Sequence, residues 1–451
     1  MDSVLLVTVD SLRADHVGHL GYERDTTPTI DELAADGTTF TRAFSHACST
    51  RASFPSILSS VYAMMYGGYE RLAPEQDPIA AVFDDAGYQT AGFHSNLYLS
   101  ADFGYDRGFD HFFDSKTDPS ALAKLRQGVK SRLDDDGILY RTLARSFEVA
   151  ERQAGANIGS PYVVADEITE KAIDWIEGTD PGDPALCWVH YMDVHHPYVP
   201  PDEHQRAFLE EPIGERRAIK LRRKMIEEPD GVTDAELADL LALYDAEIRF
   251  ADDQIGRLVE AARAHWGDTA VAVTADHGEE FGDHGTFSHP NTFYDEVMHV
   301  PLVFDGLGAA GEVDDVVGLL DLAPTLADSA DLPVPETYCG QSLTPLLTDG
   351  DVDRDYVVGN WGDTETGERR YAYRDAEWKY IRHAKGEELY DLRDDPGETV
   401  DLSREESAIV DRLGAVVDDV AEDISATRTD LGEVEMEESV KERLRDLGYK
   451  E

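Results

Sequence analysis

The sequence predicts an α/β protein: a three-layer domain with a central mixed, mostly parallel sheet over residues 1–350, and a small α+β domain over residues 351–451. Short apolar runs rich in β-branched residues alternate with helical segments, as in sheets that helices cover on both faces. Polar residues that can bind ligands follow three of these runs. An acidic break at residues 349–351 precedes strand-like runs around Tyr371 and Tyr380, which places the domain boundary there.

The first hundred residues contain two predicted strands and two predicted helices. Residues 4–9 form a continuous apolar run, typical of a buried strand, and it ends at Asp10. Residues 29–36 and 80–85 have helical patterns, and a glycine follows each within two residues. Residues 89–94 read as the next strand. The order of these elements is that of a helix-covered parallel sheet.

The remainder of the large domain adds three predicted strands, at residues 185–191, 269–274 and 300–304. Two charged segments, at about residues 115–180 and 203–265, read as helical insertions, since apolar residues in the second recur at helical spacing. The first two of these strands end, like residues 4–9, in polar turns. The carboxyl ends of strands are where α/β folds place their chemistry.

The charge of the chain is extreme. It has 93 Asp and Glu against 40 Lys and Arg, a formal net charge of −53, yet it is 41% hydrophobic and can therefore bury a core. Such a charge argues against a general nucleic-acid-binding role, because it repels phosphates. The acidic residues are spread along the whole sequence, as expected of a protein from a high-salt cytoplasm, where salt screens self-repulsion.

The sequence predicts a cytoplasmic protein with no membrane span. Its amino terminus has no basic segment before the first apolar run, and no stretch reaches the 18 to 20 apolar residues that a spanning helix needs. The three cysteines, Cys48, Cys187 and Cys339, are widely spaced and form no C-x-x-C pattern. Neither a disulfide framework nor a zinc knuckle is indicated, so a reducing compartment is expected.

Metal-ligand types cluster at strand ends. Asp10 follows the first strand, and Asp276 and His277 follow the strand at residues 269–274. A single Asp after a strand more often caps a helix, but these three occur together with a hydroxyl-rich segment at Thr50 and a His-Pro turn beside His195. Carboxylate and imidazole together suit a divalent cation.

Several segments resemble the sulfatase family of the alkaline phosphatase superfamily, in the family's order. They surround Asp10 and cover residues 30–40 (IDELAADGTTF), 104–110 (GYDRGFD), 274–285 (TADHGEEFGDHG) and 388–398 (ELYDLRDDPGE). The resemblance runs over nearly the whole chain. It implies an alkaline-phosphatase-like fold and a metal-dependent hydrolase of sulfate or phosphate esters, with in-line attack by a metal-activated nucleophile.

The nucleophile segment departs from the family. Sulfatases carry Cys or Ser before x-Pro-Ser-Arg-Ala-Ser-Leu-Leu and oxidise it to formylglycine, whereas residues 48–58 here read CSTRASFPSIL. Alignment on the final Ser-Ile-Leu puts Thr50 at the nucleophile; alignment on Cys48 needs a one-residue deletion, and Ser49 is a further alternative. Thr50 is preferred. Threonine cannot become formylglycine, and a directly acting Thr resembles the phosphodiesterase and phosphotransferase branches, which favours phosphoester chemistry.

The resemblance also implies the metal ligands. Asp10, Thr50, Asp276 and His277 would hold one divalent metal ion. Ser11 stands where sulfatases have a second Asp, which weakens an all-oxygen calcium site. The Asp and His set favours manganese or zinc, with magnesium and calcium left open.

Four further residues are candidate substrate contacts by resemblance. His195 lies in the family's His-x-Pro turn and would donate a proton or contact an oxyanion, and His196 takes that role if the register shifts by one. His289 lies near a substrate-contacting Lys of the family, or completes a second metal site. Asn96 lies where the family has a Lys-x-x-His element.

The sequence leaves the substrate open among a small anionic ester and a sulfated or phosphorylated glycan or lipid. A transferase of phosphate-containing head groups and a non-catalytic binding protein with the same fold are the alternatives. The one basic concentration, residues 216–224, reads as a solvated helix face or as a grip for an anionic polymer or lipid head group.

Overall fold

The computed structural model describes residues 3–66, 71–115, 162–348, 350–363 and 366–427. Most of the first predicted insertion and the end of the predicted carboxyl-terminal helices lie outside the described residues.

An eight-stranded sheet forms the centre of the large domain. The large domain has ten described strands, eight of them in this sheet. In chain order they are β1 (Ser3–Val9), β2 (Thr38–Phe44), β3 (Gln89–Phe93), β4 (His111–Phe113), β5 (Ala185–Tyr191), β6 (Thr269–Ala275), β7 (Glu280–Phe281), β8 (Phe287–Ser288), β9 (His299–Asp305) and β10 (Gly311–Gly318). Strands β7 and β8 pair only with each other, and the sheet order of the rest is β10-β2-β9-β6-β1-β5-β3-β4. Strand β9 runs antiparallel to both neighbours, and every other pairing in the sheet is parallel.

Helices surround the sheet. They are α1 (Pro28–Asp36), α2 (Thr50–Ser59), α3 (Ile79–Asp85), α4 (Ala165–Gly178), α5 (Asp202–Gln205), α6 (Glu215–Glu227), α7 (Asp234–Trp266), α8 (Asp295–Met298), α9 (Leu322–Ser329) and α10 (Ser407–Ala426). The second predicted insertion is α5 to α7, and α7 begins at a capping box formed by Thr233 and Glu236.

A second sheet follows in the carboxyl-terminal part. It is antiparallel and consists of β11 (Val357–Gly362), β12 (Arg369–Arg374), β13 (Trp378–His383) and β14 (Gly386–Asp391). The buried ammonium group of Lys379 on β13 lies 2.6 Å from Asp295 of α8 and 3.4 Å from Glu398. This pairing ties the small sheet to the large domain.

The predicted fold class is confirmed. The chain forms a large, mixed, mostly parallel sheet with helices, and then a small antiparallel sheet in its carboxyl-terminal part. Strands β1, β5 and β6 lie side by side and all of their residues are buried, which explains why each is a continuous apolar run. Their carboxyl ends therefore meet at one place. Among the described residues, no helix combines the length and apolar character needed to cross a bilayer.

Candidate active site and metal centre

The site lies where β1 and β6 end beside the start of α2. Asp10 follows β1 and Asp276 follows β6, and Thr50 is the first residue of α2. All three side chains are fully buried. The hydroxyl of Thr50 donates to Asp10 Oδ2 at 3.1 Å and lies 3.4 Å from His277 Nε2. The four residues expected to hold a metal are thus brought together.

The neighbouring candidate nucleophile, Cys48, faces elsewhere. Its thiol is fully buried, with Sγ 3.8 Å from Asn291 Oδ1, and burial raises its pKa to about 12. A thiol with so high a pKa is inert at neutral pH. Ser49 occupies the N-cap position of α2 in an extended conformation, and its side chain makes no capping hydrogen bond there. The geometry therefore favours Thr50 over Cys48.

The pKa values of the two carboxyl groups at the centre shift in opposite directions. Burial opposes the ionisation of Asp10, but its interactions with His190, His195 and His277 hold its pKa well below the usual range. Burial, together with the charge of Asp10, raises the pKa of Asp276. Two buried carboxyl groups this close cannot both be ionised without a compensating positive charge.

The imidazole of His277 is oriented by the backbone of the next residue, Gly278. Its Nδ1 donates to the carbonyl of Gly278 at 2.8 Å, which leaves the Nε2 lone pair facing Thr50. Nε2 lies 3.6 Å from Asp276 Oδ2 and 3.9 Å from Asp10 Oδ1. Burial lowers the pKa of His277 to about 4, so it is a neutral imidazole at neutral pH, the form that binds metals.

The sequence prediction missed His190. It lies inside β5, directly beside Thr8 of β1, and its Nδ1 is 3.0 Å from the Thr8 hydroxyl. Its Nε2 is 3.6 Å from Asp10 Oδ2. The polar residue after β5, Asp193, turns away and accepts a hydrogen bond from the backbone of Ala165 at the start of α4. A lone His in an otherwise apolar buried strand was the available signal.

The donor set fits a divalent cation. Asp10, His190 and Asp276 offer ligand atoms that all lie within 4.8 Å of one another. Within the described part of the chain, Asp276 Oδ2 and His190 Nε2 are buried and have no hydrogen-bond partner. Buried polar atoms without partners are costly, and a cation would satisfy both. Carboxylates with imidazoles match the ligand types of manganese and zinc.

A second group of histidines adjoins the first. The rings of His195 and His196 have centroids 4.3 Å apart, and that of His289 lies 5.2 Å from His195 and 4.7 Å from His277. Ligand atoms of His195, His196 and His289 also lie within 4.8 Å of one another. The three predicted substrate-side histidines therefore form one wall of the site.

A buried carboxylate supports this wall. Glu279 is fully buried, accepts a hydrogen bond from the hydroxyl of Tyr198 at 3.1 Å, and lies 3.6 Å from Nδ1 of His289. Although burial favours the neutral imidazole, Glu279 raises the pKa of His289. In contrast, burial lowers the pKa of His195 to about 4.

The turn after β1 is held by α7. Ser11 has a left-handed backbone (φ 59°) that directs its amide at Asp276 Oδ1, and its hydroxyl donates to Asp10 Oδ1 at 2.8 Å. Tyr244 donates to the carbonyl of Ser11 at 2.7 Å and accepts from the amide of Arg13 at 3.0 Å. Ser11 thus orients both carboxylates, in the place of the family's second Asp.

Asn96 is fully buried, and its side chain forms hydrogen bonds other than with Thr50 and the two carboxylates. Its carbonyl oxygen caps the turn at Tyr98, and its amide points at the sulfur of Met192. In the described part of the chain, no hydrogen bond joins Asn96 to Asp10, Asp276 or Thr50.

The chain is similar to known proteins over nearly its whole length. Residues 2–332 match the family model described as sulfatase, and residues 282–423 match the model described as N-sulphoglucosamine sulphohydrolase, C-terminal. The chain is 26% identical over 450 aligned residues to an arylsulfatase of Clostridium perfringens, and the alignment covers 90% of each protein.

Two solved structures have the same fold. The phosphonate monoester hydrolase of Agrobacterium radiobacter superposes with a TM-score of 0.72 at 22% identity, covering 94% of this chain and 96% of that one. A protein solved in complex with its substrate D-glucosamine-2-N,6-O-disulfate superposes with a TM-score of 0.70 at 17% identity, covering 96% and 100%.

Proposed function

The chain belongs to the sulfatase family and is a hydrolase of sulfate or phosphate esters, and from that premise we propose that Thr50 is its nucleophile. The hydrogen bond from Thr50 to Asp10 carries the proposal, because it places this hydroxyl, and not the thiol of Cys48, against the carboxylates. Thr50 also begins α2, and the amino-terminal end of a helix favours negative charge on Oγ1.

The nucleophile's identity favours phosphate esters within this class. By resemblance, sulfatases use a formylglycine made from Cys or Ser, which a threonine cannot form. Thr50 Oγ1 would attack phosphorus in line with the leaving oxygen, so that the Oγ1–P bond forms as the bond to the leaving oxygen breaks. The proton of Thr50 leaves to water, because the pKa of Asp10, its hydrogen-bond acceptor, is held too low for that carboxylate to keep the proton. Water then hydrolyses the phosphorylated Thr50.

One divalent cation, manganese or zinc by the ligand set, would be held by Asp10, Thr50, Asp276 and His277, with His190 beside them. When bound, it supplies positive charge that lowers the pKa of the attacking hydroxyl and offsets charge on the ester oxygens. Ser11 and Tyr244 keep the two carboxylates oriented for it. This orientation is the chain's own contribution to metal affinity.

The histidine wall serves the leaving group and the ester oxygens. When His289 is a cation, the negative charge of Glu279 compensates its positive charge. His289 therefore suits contact with the anionic ester. His195, predicted as the proton donor, lies beside His289. Its Nδ1 donates to the carbonyl of His196 at 2.6 Å, so its Nε2 can donate to an ester oxygen only when the ring carries a second proton. His196 completes the wall.

The test of ester preference compares kcat/KM for p-nitrophenyl phosphate and p-nitrophenyl sulfate, with manganese or zinc added. We expect the phosphate ester to be the better substrate. Preference for the sulfate ester would contradict phosphoester chemistry. Glycerol included in the assay separates hydrolysis from transfer, since a transferase would form glycerol phosphate.

The cellular setting is proposed as a high-salt cytoplasm. The excess of acidic over basic residues, 93 against 40, supports it, as do three cysteines that form no disulfide. Folding should then require molar potassium chloride, because salt screens the self-repulsion of the acidic surface. A chain that stays folded and active in dilute buffer would contradict this setting.

A further inference from the structure

The ring of His190 contacts the neighbouring strand through the hydroxyl group of Thr8. Thr8 of β1 lies directly opposite His190 of β5 in the parallel register, and its Oγ1 is 3.0 Å from His190 Nδ1. Both residues are fully buried. Because side chains alternate along a strand, Thr8 and Asp10 share one face of the sheet. The imidazole therefore reaches from Thr8 towards Asp10, with its Nε2 3.6 Å from Asp10 Oδ2.

The ring of His190 is held between two aromatic side chains. Phe54 of α2 meets it edge-on, with ring centroids 4.9 Å apart, and Trp188 of β5 lies nearly parallel to it at 6.4 Å. This packing fixes which nitrogen faces Thr8 and which faces Asp10, since exchanging them would require a buried ring to turn over. The ring proton, in contrast, can lie on either nitrogen.

The hydroxyl of Thr8 has partners for either position of that proton. The indole Nε1 of Trp188, which can only donate, donates to Thr8 Oγ1 at 3.1 Å. The backbone carbonyl of Val189, which can only accept, lies 3.5 Å from the same Oγ1. Thr8 can therefore accept a hydrogen bond from Nδ1–H of His190 while donating to Val189, or donate to an Nδ1 that carries no hydrogen.

These two arrangements suit two states of the site. With the proton of His190 on Nε2, an N–H group faces the carboxylate of Asp10, which is the favourable arrangement when no cation is bound. A ring nitrogen binds a metal only through its lone pair, so a cation at Nε2 requires the proton to lie on Nδ1. Among the described residues, Nε2 of His190 has no hydrogen-bond partner that would prevent this change.

We propose that Thr8 is a positioning residue whose hydroxyl reverses direction when the metal binds. In the metal-free protein it donates to Nδ1 of His190, and in the loaded protein it accepts from Nδ1 and donates to the carbonyl of Val189. Trp188 keeps Oγ1 in place in both states by donating to it. Given the proposed metal-dependent hydrolase function, on which this role rests, Thr8 makes His190 a ligand without leaving a buried ring nitrogen unpaired.

A purely structural role is the competing explanation, because the hydroxyl of a buried threonine also stabilises a sheet. Thr274 of β6 provides the matched comparison, since it is fully buried and lies opposite Thr8 in the register on the other side of β1. Its hydroxyl donates to the backbone carbonyl of Pro301 at 2.7 Å. Valine at either position keeps the shape of the side chain and removes the hydroxyl.

The first test measures metal affinity without turnover. Thr8→Val, Thr8→Ser and Thr274→Val are compared with the parent protein by competition for zinc with a chromophoric chelator, and thermal melting of the metal-free samples reports their stability. We expect Thr8→Val to lose about tenfold in zinc affinity and Thr8→Ser to retain most of it. Thr274→Val should keep the parent's affinity even where it melts at a lower temperature.

Two outcomes of this comparison would overturn the role of Thr8. Unchanged affinity in Thr8→Val is one, and an equal loss in Thr8→Val and Thr274→Val, which would reduce the effect to lost stability, is the other. A parent protein that binds neither zinc nor manganese would overturn the metal centre and the role of Thr8 together. The failure of this role and the failure of the proposed function are thereby distinguished.

The second test observes the ring proton directly. Nitrogen-15 NMR of protein labelled at histidine separates a ring nitrogen that carries hydrogen from one that does not, and the signals missing from His190→Gln belong to His190. We expect hydrogen on Nε2 in the metal-free protein and on Nδ1 after zinc is added. The same tautomer in both states would overturn the reversal.

Discussion

The hydroxyl group of Thr50 donates a hydrogen bond to Asp10 across 3.1 Å, at the point where α2 begins and β1 has just ended. The contact joins two segments 40 positions apart in the chain. It sets a weakly acidic alcohol against the carboxylate that the site keeps ionised. A nucleophile and the carboxylate that orients its hydroxyl are thereby in place before any ester binds.

Removing this hydroxyl should abolish turnover. Thr50→Ala is expected to lower kcat for p-nitrophenyl phosphate by about a thousandfold or more, whereas Thr50→Ser, which keeps a hydroxyl, should retain a measurable fraction. Steady-state kinetics with matched metal content checks both. Cys48→Ala is the control and should keep its activity, since Cys48 is buried against Asn291. Full activity in Thr50→Ala would refute the nucleophile assignment.

Loss of His190 should weaken metal binding. His190→Gln removes the imidazole that lies 3.6 Å from Asp10 Oδ2, so the apparent affinity for manganese or zinc should fall at least about tenfold. Competition with a chromophoric chelator measures it. His383→Gln, on β13, serves as the control and should bind metal as the parent protein does. Unchanged affinity in His190→Gln would show that His190 takes no part in the site.

Tyr244 should contribute to the stability of the fold. Tyr244→Phe removes hydrogen bonds to the buried carbonyl of Ser11 and amide of Arg13, which costs about 1–3 kcal/mol of unfolding free energy. Urea denaturation checks this value. Tyr371→Phe removes a hydroxyl that has no hydrogen bond to a described residue, and should change stability by less than about 0.5 kcal/mol. Equal effects of the two substitutions would argue against the role of Tyr244.

The stability of the fold should fall in alkaline solution because of His284. Burial favours its neutral form, but the ion pair with Glu296 at 3.4 Å raises its pKa from 6.5 to about 9. The folded state then holds a proton that the unfolded state releases, so this contribution is fully present below pH 6.5 and is lost as the pH rises through 9. Melting temperatures across this range should decline less in His284→Gln and in Glu296→Gln. The same slope in all three proteins would contradict the linkage.

The sequence predicted the elements that local patterns specify. Strands β1, β5 and β6 were predicted nearly to the residue, because strands buried on both faces are continuous apolar runs. Asp10 and Asp276 were predicted as ligands because each directly follows such a strand. Short or exposed strands, such as β4 and β10, have no comparable pattern and were not predicted.

His190 shows why the rest of the site was not predictable. Its role depends on β5 lying beside β1, a pairing between segments about 180 residues apart. Glu279 likewise acts through His289, and only the folded loop between these residues brings their side chains together. The basic residues of α6 were visible in the sequence, but the contact of Arg222 with His196 depends on how α6 packs and was not predictable.

The central claim is that unmodified Thr50 attacks the ester, and mass spectrometry of the peptide that contains Cys48, Ser49 and Thr50 tests it most directly. Protein quenched with acid during turnover of p-nitrophenyl phosphate should yield this peptide with Cys48 and Ser49 intact and one phosphoryl group on Thr50. A formylglycine in place of Cys48 or Ser49, with Thr50 unmodified during turnover, would contradict the claim.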